Sequence, residues 1–319
     1  MNEYELIKNY FQNLSKKNPS AKKLNDDVFF DKKKNLTVSI DTYNEGIHFP
    51  HFKYPELIIK KVIRSSISDL LCKGVKPKYI FISASGNKRK FSKNNLKLIS
   101  KSIKEEQKKY GLLLSGGDTT NSSKVSFSIT TLGFANKIVE RNKAKLNDDI
   151  YITGNIGDSF LGLKIIQNKV KVNSKQSKYF LKQYYCPILP FIIHKYLNKI
   201  ANTSMDVSDG LISDMLKLIN NQDLSFEINL NKIPISNMLK LYLKNNKKKK
   251  QNYLFNGDDY QILFTASKKN RKIIKKISSN MNQKITIIGK INNKFKKNSL
   301  ILDNKSINLT NFKGYLHKF

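Results

Sequence analysis

The chain has 319 residues, 39% of them apolar, enough for one large or two average domains, and its two cysteines, Cys72 and Cys186, exclude a disulfide framework and a four-ligand zinc site. Its 59 Lys+Arg against 24 Asp+Glu give a formal net charge of +35, but the lysines are scattered along the whole length, so no nucleic-acid partner is expected and the basic field serves to attract anionic substrates. Met1 to Gln12 is charged and amphipathic without a signal's apolar core, and Pro187 to Ile193 is too short to cross a bilayer, so a cytoplasmic protein with no membrane partner is expected.

Leu36 to Asp41 alternates as a strand, with Leu36, Val38 and Ile40 on one face and Ser39 and Asp41 on the other. Pro55 to Lys73 is a helix by its broad apolar stripe, opened by Pro55 and stopped at Gly74. A strand at Tyr79 to Ser83, a helix at Asn94 to Tyr110, a short buried strand at Leu112 to Leu114 and a strand at Val125 to Phe134 follow. From Asn136 to Asp149 the chain turns polar, which marks a boundary between one unit over 1–137 and a second over 138–319. The second series opens with strand Ile150 to Thr153, helices Asp158 to Asn168 and Phe191 to Ala201, and a strand ending at Asp206. It continues with helix Leu211 to Ile219, strands Ser225 to Leu230 and Tyr260 to Thr265, helix Lys268 to Ser279, strand Ile285 to Ile291 and a closing hairpin. Asn245 to Asn252 reads as an exposed loop, and the whole as an α/β (α+β) fold in two units.

Six acidic clusters stand out against the basic background: Asn25-Asp26-Asp27, Ser39-Ile40-Asp41, Ser68-Asp69, Ser115-Gly116-Gly117-Asp118, Asp206-Val207-Ser208-Asp209 and Gly257-Asp258-Asp259. Oxygen ligands around hard cations, with backbone N–H groups nearby for phosphate, are what a magnesium–nucleotide site requires. Ser39 and Asp41 share a strand face and can converge on a cation, although a solvated strand end gives the same pattern. Asp69, near a helix C-terminus, opposes the macrodipole, and such a residue ordinarily faces water. Gly116-Gly117 leaves backbone N–H groups open to a phosphate, and Asp118 follows where it could bridge magnesium to it. Asp206, Ser208 and Asp209 supply more oxygen than a helix cap needs. Thr153 to Ser159 lacks the full dinucleotide glycine spacing and reads as a structural strand-to-helix turn. No Gly-x-x-x-x-Gly-Lys-Ser/Thr, no protein-kinase set and no Gly-x-Ser-x-Gly elbow is present, which excludes those enzyme classes.

In this order and over nearly the whole chain, the segments resemble the thiamine-monophosphate kinase family of the aminoimidazole ribonucleotide synthetase-like superfamily. The matching residues are Asp41-Thr42 with Gly46-Ile47-His48-Phe49, Ser68-Asp69 with Gly74-Val75-Lys76-Pro77, and Gly116-Gly117-Asp118-Thr119-Thr120. Arg141 ahead of Asp149 to Gly154, Gly157-Asp158-Ser159, Asp206 to Leu211, Gly257-Asp258-Asp259-Tyr260 and Lys313-Gly314-Tyr315 complete the series. The resemblance implies a homodimer whose N-terminal sheets form a barrel, an N-terminal ATP- and magnesium-binding unit, and a C-terminal unit that completes the site. It implies in-line transfer of the ATP γ-phosphate to thiamine monophosphate, without a protein nucleophile. It places several Mg²⁺ on Asp27, Ser39, Ile40 (through its main chain), Asp41, Asp69, Asp118, Asp206 and Asp209. ATP falls to Gly117, Asp118, Arg141 and Ser208, and thiamine monophosphate to His48, Asp258 and Tyr315.

Departures from the family pattern are Asn25 and Asn256 for glycine, Ile40 for threonine and Asp258 for glutamate, with Cys186 to Pro190 where an Arg-rich turn is usual. The rival readings are another ATP-dependent member of the superfamily, selenophosphate synthetase-like or hydrogenase-maturation-like, and a basic nucleic-acid-binding protein. The first cysteine, Cys72, lies inside a helix, which disfavours a selenophosphate synthetase.

Overall fold

The computed structural model describes residues 1–307 and 309, and its strands fall into two sheets. The first holds β1 (Phe29–Asp31), β2 (Leu36–Asn44), β3 (Pro77–Ser85), β4 (Leu113–Thr120) and β5 (Ser126–Phe134) in the order β1-β2-β5-β3-β4. The second holds β6 (Asp149–Thr153), β7 (Thr203–Asp206), β8 (Leu224–Asn229), β9 (Ile262–Ala266), β10 (Ile285–Asn293), β11 (Ser299–Leu302) and β12 (Lys305–Ile307), in the order β12-β11-β8-β10-β6-β9-β7. Residues 135–148, the polar stretch between them, carry neither strand nor helix.

Helix α1 (Pro55–Cys72) lies between the sheets, packed on β2 and β5 on one side and on β7 on the other. Pro55 supplies a preset φ in its first turn, and Gly74, at φ +76°, turns the chain away beyond its end. Its burial extends beyond the apolar stripe to Lys61, Arg64, Ser65, Ser66 and Ser68. One hydrophobic cluster runs from Ile129 of β5 through Ile58 and Ile67 of α1 to Tyr151 of β6 and Phe264 of β9, so the two sheets share a core.

Besides short helices at Glu3–Leu6 and Gln251–Leu254, the other α-helices are α2 (Lys93–Tyr110), α3 (Asp158–Ile166), α4 (Ser174–Tyr185), α5 (His194–Ile200), α6 (Leu211–Leu218), α7 (Asn237–Asn245) and α8 (Arg271–Asn280). Helix α2 starts where Ser92 accepts the Asn95 N–H and stops at Gly111, φ +68°. Among the described residues, no helix is long and apolar enough to cross a membrane.

Two expectations are corrected, and the alternation of β2 holds. Leu112 to Leu114 is not a buried strand: β4 runs on through Thr120 at the sheet edge, with Leu113 and Leu114 half exposed. On β2 the two faces alternate as expected; the buried one carries Thr37, Ser39 and Tyr43, and Ile40 on the other is 68% exposed. The Asn245 to Asn252 loop is shorter than expected, because α7 reaches Asn245 and a short helix begins at Gln251. Helix α4 has no counterpart in the sequence reading. Its buried residues are aromatic, Phe180, Tyr184 and Tyr185, set among lysines and glutamines that hide the helical period.

Arg64 of α1 is held by Glu106 of α2 through two hydrogen bonds of 2.8 and 2.7 Å and donates to the Pro187 carbonyl at 3.1 Å, all buried. Glu106→Ala leaves that guanidinium without its counter-charge and is expected to cost about 3–5 kcal/mol of folding stability. Urea unfolding measures this, and a loss below about 1 kcal/mol would show the pair to be dispensable.

Candidate active site

A buried helix must find partners for its polar side chains within the protein, and on α1 several of those partners are acidic: Glu106 for Arg64, Asp206 for Ser68 and Asp258 for Lys61. Ser68 donates to Asp206 at the end of β7, and Ser39 of β2 donates to Asp69 of α1. The Tyr43 hydroxyl donates to Asp41 at 3.0 Å and lies 3.1 Å from Ser66 Oγ. Asp41, Asp69 and Asp206 therefore meet where β2, α1 and β7 converge. Burial, and then Asp41 and Asp206, push the Asp69 carboxyl well above its ordinary range. Asp41 is raised mainly by burial, and burial with Asp214 and Asp41 nearby pushes Asp206 up to about 6. Crowded carboxylates that favour protonation when alone are a donor set that a cation relieves.

Beside them stands a second acidic pair with its charge already met. Lys73, completely buried just past α1, lies 2.7 Å from Asp26 and 2.6 Å from Asp27 and donates to the Ser204 carbonyl of β7 at 2.7 Å. Arg141 pairs with Asp27 through its guanidinium and with Asp26 through its main-chain N–H. Arg141 and Asp26 also line a cavity of about 760 Å³ with Lys16, Lys22, Lys23 and Lys143.

At the far end of α1, buried Lys61 lies 2.6 Å from Asp258 and over the Tyr184 ring at 4.0 Å, and the Tyr260 hydroxyl donates to Asp258 at 2.9 Å. Burial lowers the Lys61 pKa, with Asp258 working against it. Asp258 and Tyr260 adopt φ of +71° and +49°, a costly conformation for non-glycine residues. It is held by N–H bonds from both residues to the Ser208 and Val207 carbonyls, each 2.9 Å. His48 follows β2, its Nδ1 accepting the Asn44 N–H and its carbonyl accepting the Tyr184 hydroxyl.

The sequence-derived set thus divides. Ser39, Asp41, Asp69 and Asp206 come together, with Asp27 and Arg141 alongside. Asp209 turns to Lys217, and its N–H goes to Asp214. Asp259 accepts the Gly157 N–H and fixes the Thr153 to Ser159 turn, which joins β6 to α3 as a structural element. Asp118 is exposed on β4, with β3 and β5 between it and β2, a separation of roughly 14 Å at about 4.8 Å per strand. The glycine beside it is required by the sheet: a Cβ at Gly117 would stand 1.9 Å from the Ile82 carbonyl oxygen. Tyr315 lies outside the described residues. Lys61, Lys73 and Tyr43 escape the sequence reading, because nothing in the local pattern singles them out.

Among the described residues, no three His, Cys, Asp or Glu side chains already stand at metal-ligating spacing. The donors that converge are nevertheless all oxygen, three carboxylates and a hydroxyl, and that chemistry suits magnesium rather than zinc.

The family described as AIR synthase related protein, N-terminal domain, matches residues 25–135. The thiamine-monophosphate kinase of Buchnera aphidicola subsp. Schizaphis graminum is 37% identical, covering 96% of each chain. That of Haemophilus influenzae is 32% identical, covering 99% of this chain and 98% of its own. Among solved structures, AaThiL complexed with AMPPCP and TMP matches with a TM-score of 0.85 and 27% identity, over 99% of this chain and 97% of that one.

A carboxyl whose pKa is higher folded than unfolded binds more protons folded, so its contribution to stability falls as pH rises from the unfolded value through the folded one. For Asp206 that window runs from 3.8 to about 6, and Asp69 extends it upward. Without metal, Asp69→Asn is therefore expected to raise the thermal midpoint by a few degrees at about pH 8 and to leave it little changed at about pH 4. Calorimetry in EDTA checks this; a mutant no more stable than wild type at the higher pH contradicts the assignment.

Proposed function

The chain belongs to the thiamine-monophosphate kinase family and is an ATP-dependent phosphotransferase, and from that premise we propose how its residues divide the work. ATP and thiamine monophosphate react in line, γ-phosphate to acceptor phosphate, giving ADP and thiamine diphosphate. The observation that carries this reading is the convergence of Asp41, Asp69 and Asp206 from three separate elements, with hydroxyls as their hydrogen-bond partners. With Ser39 they would hold Mg²⁺, and Asp209 is a further candidate. Magnesium bound there would screen the charge of the facing phosphates. Arg141 and the lysine-lined cavity beside it give the nucleotide phosphates cations to approach. Ser208, two residues after Asp206, is a further candidate for contact with the nucleotide. Ile40 points its side chain away from the cluster, so only its main chain could take part.

The acceptor end falls to His48 and Asp258, with Tyr315 completing it. Asp258 is drawn toward Lys61 and Tyr260, which compensates for a side chain one methylene shorter than glutamate. Residues 1–137 form the ATP, magnesium and dimerisation unit, 138–319 the unit that completes the site, and the protein works in the cytoplasm.

Asp118 and Gly117 reach this site only from a second copy. Strand β1 pairs with Leu36 to Val38 alone, so the outer edge of β2 beyond Val38 is open, and β4 forms the opposite edge. A two-fold barrel that sets β4 of one chain beside β2 of the other carries Asp118 to Asp41. The exposed Ile40, Leu113 and Leu114 on these strands support such a homodimer.

With Mg²⁺ and ATP, thiamine monophosphate should stimulate stoichiometric ADP release; stimulation by another acceptor only would overturn the substrate assignment. Asp69→Asn and Asp118→Asn subunits should each be inactive, yet an equal re-associated mixture should recover about a quarter of wild-type turnover, because half the dimers regain one intact site. No recovery would place both residues in one chain's site. Asp258→Asn should raise KM for thiamine monophosphate severalfold with KM for ATP nearly unchanged. Unchanged constants would remove it from the acceptor site.

A further inference from the structure

The carboxylates of the site fall into a neutralised pair and an unneutralised trio. Asp26 and Asp27 have side chains only 4% and 6% exposed, and each of their oxygens is engaged. Asp26 Oδ1 lies 2.7 Å from Lys73 Nζ and accepts the Asp27 N–H at 2.8 Å, while its Oδ2 accepts the Arg141 N–H at 3.0 Å. Asp27 Oδ2 lies 2.6 Å from Lys73 Nζ, and its Oδ1 pairs with the Arg141 guanidinium. Lys73 is 0% exposed, and its third partner is the Ser204 carbonyl at 2.7 Å. Three donors meet three acceptors, and two negative charges meet two positive ones. Asp41, Asp69 and Asp206 have hydroxyls instead, from Tyr43, Ser39 and Ser68.

We propose that Lys73 is a built-in cation in the place of one divalent ion, so that Asp27 holds the Lys73 ammonium rather than magnesium and the ions gather on Asp41, Asp69 and Asp206. The inference rests on the magnesium reading above and removes Asp27 from the ligands that the family resemblance implies. Magnesium needs oxygen at about 2.1 Å in an octahedral shell. An ion on Asp27 Oδ2 would be forced close to an ammonium 2.6 Å from the same oxygen, in a site sealed from water. The ammonium asks only for three acceptors, which it has, and it is covalently present whatever the magnesium concentration. Its hydrogen bond to the Ser204 carbonyl also ties this end of α1 to β7.

The test counts Mn²⁺ bound per chain in the presence of a non-hydrolysable ATP analogue. Lys73→Met, similar in length but uncharged, should bind one ion more than wild type. Asp27→Asn should leave the wild-type count unchanged and should abolish the ion gained by Lys73→Met. An equal count in Lys73→Met and wild type, or a loss on Asp27→Asn alone, would overturn the proposal. Should Lys73→Met fail to fold, anomalous diffraction from wild-type crystals with Mn²⁺ and the analogue decides: peaks at Asp69 and Asp206 with none bonded to Asp27 support it, and a peak on Asp27 overturns it. Wild type without any ion at Asp69 and Asp206 would instead sink the magnesium reading, and this inference with it.

Discussion

The burial of α1 is the constraint on which the rest of the structure depends. A helix enclosed by one sheet and by the edge of another cannot leave its hydroxyls, ammoniums and guanidinium to water, so each must be met by the protein. Ser68 is met by Asp206, Lys73 by Asp26, Asp27 and Ser204, Arg64 by Glu106 and Pro187, and Lys61 by Asp258. Four of those partners, Pro187, Ser204, Asp206 and Asp258, lie in the second half of the chain. The hydrogen bonds that satisfy the helix are therefore also the ones that bring the two halves into one site.

Electrostatics explains why such a site can exist in a chain with net charge +35. Most lysines are exposed and screened at distances beyond about 8–10 Å at physiological ionic strength. The two buried on or beside α1 act at contact distance. Lys73 neutralises Asp26 and Asp27, and Lys61 draws in Asp258, while Asp41, Asp69 and Asp206 keep a deficit that external cations can fill. The same residue type thus supplies a solvated surface and an internal counter-charge, and burial makes the difference.

Much of this was legible in the chain and some was not, for physical reasons. Acidic residues at the ends of apolar runs marked the site, because an aspartate after a strand is carried to the sheet's edge where ligands bind. Which cluster stays open could not be read, since that depends on partners distant in sequence: Asp27 meets Lys73, Asp258 meets Lys61, and Asp259 is spent on the Gly157 turn. On β2 the polar residues pack inward on α1 while Ile40 points out, a choice between two faces that alternation alone does not decide. Gly117 was assigned to phosphate binding, but the close approach of β3 is sufficient to require it. Helix α4 escaped because its seam is three aromatics rather than an aliphatic stripe.

On the proposed reading, the site works by charge and alignment rather than by a covalent intermediate. Cys72, whose Sγ donates to the Asp69 carbonyl, is fully buried, and burial holds its thiol well above the ordinary range, so it stays protonated. The stereochemical course tests this most directly, with a γ-phosphoryl group made chiral by sulfur and oxygen isotopes and passed to thiamine monophosphate. One in-line displacement predicts inversion at phosphorus. Retention would mean two displacements through a phosphorylated protein group and would contradict the account.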